Sequence, residues 1–285
     1  MPSDENDSIQ EYVPARLYHY TTLESLALIL ENRTIRLMPI EGMDDLQESR
    51  TSDIQNLGKV IFASCWTDDS MESIPMWNMY ASLETGVRIS LPTMPFKRYR
   101  LSAEEYAQVT GMPVDHISFE DDYFETFLPP RDLARGLMSP AFINGAGVLV
   151  KIEYTQDKSL LEPKVLSVGE KSTSILMGLL GKYKNEYWSF QREWRYQMQI
   201  VPFRAFDLSS DLGARFNAMA SMMVQGVLPA PCSYYDLAIS DEAMEEFEVV
   251  ASPKMSAGNK ILLRLLLERH GLEGSQRQSE LTGLI

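Results

Sequence analysis

Leu17-Tyr18-His19-Tyr20-Thr21-Thr22 decides how the rest of the chain is read. It is a short aromatic run that favours a strand, and it ends in a threonine able to cap a helix. Leu23, Leu26, Ala27 and Leu30 then recur at helical spacing, which predicts a helix to about Asn32 with one buried face. Asn32-Arg33 turns the chain into a second short strand, Thr34 to Met38, which stops at Pro39.

Working outward, a polar loop follows, Glu41-Gly42-Met43-Asp44-Asp45-Leu46-Gln47-Glu48. Lys59 to Trp66 reads as a strand buried on both faces, since Val60, Ile61, Phe62 and Ala63 are continuous. A helix is predicted from Ser73 or Pro75 to about Ser82, and a strand from Val87 to Leu91. Gly147 to Tyr154, Arg192 to Ile200 and Phe247 to Ala251 read as strands. Glu170 to Tyr187 and Ser256 to His270 read as helices, the latter stopped by Gly271. Residues 1–15 read as a flexible tail and 16–285 as a single domain. Residues 93–143, rich in proline, read as an irregular insertion with short helices, a candidate lid or partner surface. Strands and helices mix without a βαβ rhythm, so the expected class is α+β with a mixed or antiparallel sheet and flanking helices.

The bulk numbers narrow the function. The chain has 285 residues, 45% apolar and 23% charged, enough for a proper core. A formal charge of −14 argues against non-specific binding to a nucleic-acid backbone. Two distant cysteines and three scattered histidines predict no zinc site and fit a reducing, cytoplasmic setting. The N-terminus does not read as a signal peptide, and the run Ile261 to Leu267 is broken by Arg264, so no membrane span is expected. Neither G-x-G-x-x-G after a strand, nor G-x-x-x-x-G-K-[ST], nor G-x-S-x-G occurs.

Three segments carry residues suited to chemistry. On the first strand, Leu17 and His19 share one face while Tyr18 and Tyr20 share the other. His19 offers a donor and an acceptor suited to a ribose hydroxyl or a carboxamide. In Gln191-Arg192-Glu193-Trp194-Arg195, an extended chain turns Gln191, Glu193 and Arg195 one way and Arg192, Trp194 and Tyr196 the other. In Met76-Trp77-Asn78-Met79-Tyr80-Ala81, Trp77 and Tyr80 sit three apart on one helical face and could stack on a flat ring. The plain alternatives are a core histidine, a structural Glu–Arg pair and aromatics buried in the core. The acidic loop could close over a site, orient His19 or hold a metal through Asp44, Asp45 and Glu48.

These blocks carry a resemblance. His19-Tyr20-Thr21, Asp44-Asp45-Leu46-Gln47-Glu48, Ser64-Cys65-Trp66-Thr67, Met76-Trp77-Asn78-Met79-Tyr80-Ala81, Gly86-Val87-Arg88-Ile89 and Gln191-Arg192-Glu193-Trp194-Arg195 follow the order seen in a widespread bacterial domain-of-unknown-function family. Its pattern looks like H-Y-T, N-D-P-x-E, S-C-F/W, M-W-x-x-Y-A, G-V-x-I and E-x-E-W/Y-R. Asp44, Leu46 and Gln191 depart from it. The family is in turn remotely similar to the ADP-ribosyltransferase fold, which implies a split sheet. The resemblance implies that NAD is the substrate and that Glu193 is the catalytic carboxylate. It implies that His19 and Tyr20 hold the nucleotide, that Trp77 or Tyr80 walls the nicotinamide pocket, that Gln191 helps bind, and that Arg195 pairs with pyrophosphate or holds Glu193 in position. Asp45 and Glu48 would orient the site.

The leading expectation is therefore ADP-ribosyl transfer from NAD, or NAD hydrolysis, with a protein, a nucleic acid or water as acceptor. A role as a toxin or phage-defence effector is what similar bacterial proteins suggest, and an oligomer is compatible with it. Two alternatives stand beside it: a non-catalytic module that binds a nucleotide or protein, and a nuclease or other hydrolase using the Asp44, Asp45 and Glu48 carboxylates with magnesium.

Overall fold

The computed structural model describes residues 12–111, 123–138, 148–169, 173–202 and 212–285. The expected tail up to residue 11, parts of 93–143, Gly147 and the start of the helix predicted from Glu170 lie outside the described residues.

Strand β1 (Arg16–Thr22) enters helix α1 (Leu23–Asn32) through Thr22, whose side chain accepts from Ser25 N. Arg33, at φ 51°, ends α1 and leads into β2 (Thr34–Pro39). β3 (Ile61–Thr67) follows the acidic loop. A single turn α2 (Ile74–Met76), capped by Ser73, runs directly into a π-helical turn, Trp77–Ala81. β4 is Gly86–Pro92. Next come β5 (Tyr99–Leu101), α3 (Ala103–Thr110), β6 (Phe124–Thr126), α4 (Pro130–Ala134) and β7 (Leu137–Met138). The middle of the chain holds β8 (Leu149–Lys151), β9 (Glu153–Thr155), α5 (Lys158–Leu161), β10 (Leu166–Val168), β11 (Thr173–Ile175) and β12 (Tyr183–Asn185). It closes with β13 (Glu193–Gln199), β14 (Val201–Pro202), α6 (Leu212–Val224), β15 (Tyr235–Ala238), α7 (Asp241–Glu245), β16 (Glu248–Ala251), α8 (Ala257–Arg269) and β17 (Gln276–Arg277).

The class is α+β, with a mixed nine-stranded sheet and flanking helices. One path runs β15-β2-β3-β1-β4-β16-β17, and β13 joins β3 to β8. Within this sheet pairing is antiparallel except between β16 and β17. β3 organises the site. β13 lies along one whole edge of it, from Glu193 opposite Thr67 to Gln199 opposite Ile61. The other edge is divided: β1 pairs only at Tyr18–Thr67, and β2 only at Met38–Ala63 and Pro39–Phe62. Between them the edge from Ser64 to Trp66 has no strand partner among the described residues, so the sheet opens there.

Alternation along β3 and β13 assigns their faces. Phe62, Trp66, Trp194, Tyr196 and Met198 enter the main core with Leu17, Val87 and Ile89 of β1 and β4. Leu26, Ile29 and Leu30 of α1 and Leu263 and Leu267 of α8 pack on the same core. Ile61 and Ala63 enter a second core with Met219 and Met223 of α6. The opposite face of β13 carries Glu193, Arg195 and Gln197, all buried.

Three expectations need correction. The strand predicted over Gly147 to Tyr154 divides at Ile152 into β8, which pairs with β13, and β9, which pairs with β12. The segment predicted as a helix to Tyr187 is β11, a 3-10 turn and β12, followed by a 3-10 helix at Glu186–Gln191. Gly181, at φ +69°, breaks the helical path, and a Cβ there would lie 2.5 Å from Gln197 Oε1. The described part of 93–143 is no lid. Phe96, Leu101, Tyr106, Phe124, Phe127 and Leu133 belong to the main core, and none of its described residues lines the cavity below.

Candidate active site

The opening between β1 and β3 leads into a cavity of about 270 Å³, near the lower end of typical ligand pockets, roughly 300–1,000 Å³. His19, Tyr20, Tyr80, Gln191 and Glu193 all line it, so the first strand and the late strand converge. Glu48, Asp44, Cys65 and Lys184 line it too.

His19 sits where β1 leaves β3. Its Nδ1 lies 2.8 Å from the Cys65 carbonyl oxygen, on the unpaired stretch of β3. A carbonyl only accepts, so Nδ1 carries the proton and donates, leaving Nε2 as an acceptor. Burial pulls the imidazole pKa below its usual value, against the pull of that bond. His19 is thus neutral at pH 7. Its ring lies 5.0 Å from Trp66. The Tyr20 hydroxyl accepts from Ser73 N, so the ring lines the cavity while its polar end fastens the start of α2.

The other wall is a buried charge cluster. Arg195 is 0% exposed and donates from Nε to Glu193 Oε1 at 2.5 Å. Its Nη2 meets Glu48 Oε2, and its Nη1 donates to the Gly181 carbonyl. Lys184, also buried, donates to Glu193 Oε2 and to Gln191 Oε1, both at 2.9 Å. Gln191 Nε2 donates to the Tyr80 hydroxyl at 2.5 Å. Glu193 N donates to the Tyr154 hydroxyl, which fixes the first residue of β13. Burial alone raises a carboxyl pKa, but Arg195 and Lys184 overcome it at Glu193 and hold it at about 2. At Glu48 burial prevails over Arg195 and Lys184, with help from the Glu193 charge, and the pKa is raised. Burial also raises the Cys65 thiol far above its usual range, so it is no thiolate at neutral pH.

Several expected roles change. Trp77 is fully buried beside Tyr20, and its Nε1 donates to Glu72 Oε2, so it belongs to the core and not to the cavity wall. Tyr80 lines the cavity alone of the two. The π-turn explains this: Ser82 N bonds to the Trp77 carbonyl, and i→i+5 winding moves residues three apart off a shared face. Of the two roles expected for Arg195, the binding one lapses, since it does not line the cavity, and the other stands: it holds Glu193, and Glu48 as well, from behind. Gln191 is not on the strand. It ends the 3-10 helix, and Arg192, at φ 45°, turns the chain before β13 begins. Asp45 is buried and its Oδ1 accepts from Gln47 N, so it shapes the loop that presents Glu48.

Lys184 went unforeseen. Nothing near it in sequence singles it out, and it reaches the cluster only because β12 pairs in parallel with β9, Lys184 opposite Tyr154. Among the described residues no group of three or more His, Cys, Asp or Glu could hold a metal. No helix of the described residues is long and apolar enough to cross a membrane. No known family, curated protein or solved structure matches the chain.

Proposed function

We propose that this cavity takes the nicotinamide end of NAD and that the protein transfers ADP-ribose to an acceptor or to water. One observation carries the reading: His19 and Glu193, far apart in sequence, line one cavity with the rings of Tyr20, Trp66 and Tyr80. Breaking the bond between nicotinamide and ribose develops positive charge on the sugar, as in glycoside hydrolysis. That charge is stabilised by a carboxylate that stays ionised, and Arg195 and Lys184 keep Glu193 so. The aromatic walls suit the flat nicotinamide ring, by stacking worth roughly 0.5–1.5 kcal/mol beyond area burial. His19 Nε2 suits a ribose hydroxyl as donor. An ADP-ribosyltransferase-like split sheet agrees with the divided edge of β3.

The test is nicotinamide release from NAD. The wild-type protein is expected to release it, and Glu193→Gln to slow release about 10²–10³-fold while the fold persists. Unchanged release by a folded Glu193→Gln would falsify the role. A second reading has its own support: both Glu193 oxygens are already hydrogen-bonded, which suits a pocket that binds a nicotinamide nucleotide without turnover. Calorimetric binding of NAD with no nicotinamide released would select it. A magnesium nuclease is disfavoured, because Glu48 faces two cations, Arg195 and Lys184.

A further inference from the structure

Glu193 and Glu48 share the cavity and share Arg195, yet their oxygens are held differently. Glu193 Oε1 accepts from Arg195 Nε at 2.5 Å and Oε2 from Lys184 Nζ at 2.9 Å. Neither oxygen of Glu48 accepts a directed hydrogen bond from the described residues. Arg195 Nη2 meets Oε2 as an ion pair, and Lys184 Nζ is 3.9 Å from Oε1. The Glu48 side chain is only 1% exposed. A buried carboxylate with open lone pairs is costly unless a donor reaches it. An O–H brought into the cavity with the reaction would be such a donor. Glycosyl transfer uses two carboxylates in this divided way, one fixed as an anion and one free to move a proton.

We propose that Glu48 is the general base of the transfer, taking the proton of the attacking water or acceptor hydroxyl while Glu193 stabilises the ribosyl cation. This rests on the NAD reading above. The acceptor oxygen bonds to the ribose anomeric carbon. The bond from that carbon to nicotinamide breaks, with its electron pair passing to the pyridinium nitrogen. The acceptor proton moves to a Glu48 oxygen and leaves to solvent afterwards. Burial, which raises the Glu48 pKa against Arg195 and Lys184, suits a group that must accept a proton near neutral pH.

The experiment compares nicotinamide release from NAD in water and in added sodium azide, an anion that attacks without a base. Glu48→Gln is expected to lose about 10²–10⁴-fold of the water reaction. Azide should restore nicotinamide release in Glu48→Gln and give ADP-ribosyl azide, but should not rescue Glu193→Gln. A folded Glu48→Gln that hydrolyses NAD at the wild-type rate, or that azide fails to rescue, overturns the proposal. Should Glu48→Gln not fold, the wild-type pH profile decides. Arg195 and Glu193 of β13, Lys184 of β12, Cys65 of β3, Tyr18, His19 and Tyr20 of β1, Arg36 of β2, Tyr80 of the π-turn and Asp44 of its own loop surround Glu48 or line the cavity with it. Above the pH at which azide itself protonates, acid should slow the water reaction and spare the azide reaction. Parallel slowing of both overturns the assignment. A wild-type protein that releases no nicotinamide under either condition overturns the NAD reading itself, and this proposal with it.

Discussion

The two sides of the cavity are built by opposite means. On the β12–β13 side, two carboxylates and two cations are buried together around Arg195. On the π-turn side, Tyr20, Trp77, Ala81 and Val250 form a small apolar cluster with Leu281 against it. The carboxylate fastened to it, Glu72, is half-buried and answered by Trp77 Nε1, Ser279 Oγ and Glu280 N. Burying ions is unfavourable, and well-packed apolar residues of similar volume are often as stable or more so. A fold selected for stability alone would make both walls like the second. The charged wall therefore marks the side where chemistry is expected.

The largest effect should come from the keystone of the charged wall. Arg195→Met leaves Glu193 and Glu48 buried with Lys184 as their remaining cation. Stability should fall by about 3–5 kcal/mol, the usual loss when one partner of a buried pair is removed. Urea unfolding at pH 7 measures it. A loss of about 1 kcal/mol or less, typical of exposed pairs, would mean that water reaches the cluster and that the two walls do not differ as described.

Acid should separate the two carboxylates of that wall. Glu193 has its folded pKa depressed from 4.5 to about 2. Its stabilisation is present above the unfolded value and is lost as pH falls from about 4.5 through about 2. Glu48 has its folded pKa raised, so its contribution has the opposite sign: full below the unfolded value and lost as pH rises through the folded one. Glu193→Gln should therefore flatten the acid limb, by on the order of 3 kcal/mol, and Glu48→Gln should flatten the limb above it. Urea midpoints of wild type and both variants across pH read this directly. Identical pH dependence in all three would show that the cluster does not hold Glu193 as an anion.

The sequence announced the two walls unequally. β1, α1, β2, β3, β4, β13, β16 and α8 were legible because each carries its own period or its own stop, such as Pro39 after β2 or Gly271 after α8. The alternation that separates Glu193 and Arg195 from Trp194 and Tyr196 was legible for the same reason. Gln191 was placed on that face for a mistaken reason, since Arg192 interrupts the strand and Lys184 alone gathers Gln191 and Glu193. Lys184 itself depends on a parallel pairing with β9 that no local pattern encodes. Trp77 and Tyr80 were read on α-helical spacing, and the π-turn that separates them carries no distinct local signature.

The smallest effect should arise on the apolar wall. Trp77→Phe keeps a ring beside Tyr20 and removes the Nε1–H that donates to Glu72 at 2.9 Å. Glu72 retains Ser279 Oγ at 2.8 Å and Glu280 N at 2.7 Å, and it is partly open to water. The loss should be about 1 kcal/mol, that of one hydrogen bond, seen as a modest fall in Tm. Trp77 lies behind the cavity and not on it, so NAD affinity and nicotinamide release should fall no further than the folded fraction does. A drop in affinity well beyond the drop in stability would mean that Tyr80 is positioned through Trp77 and Glu72. The apolar wall would then share in recognition, and the division between a chemical side and a structural side would fail.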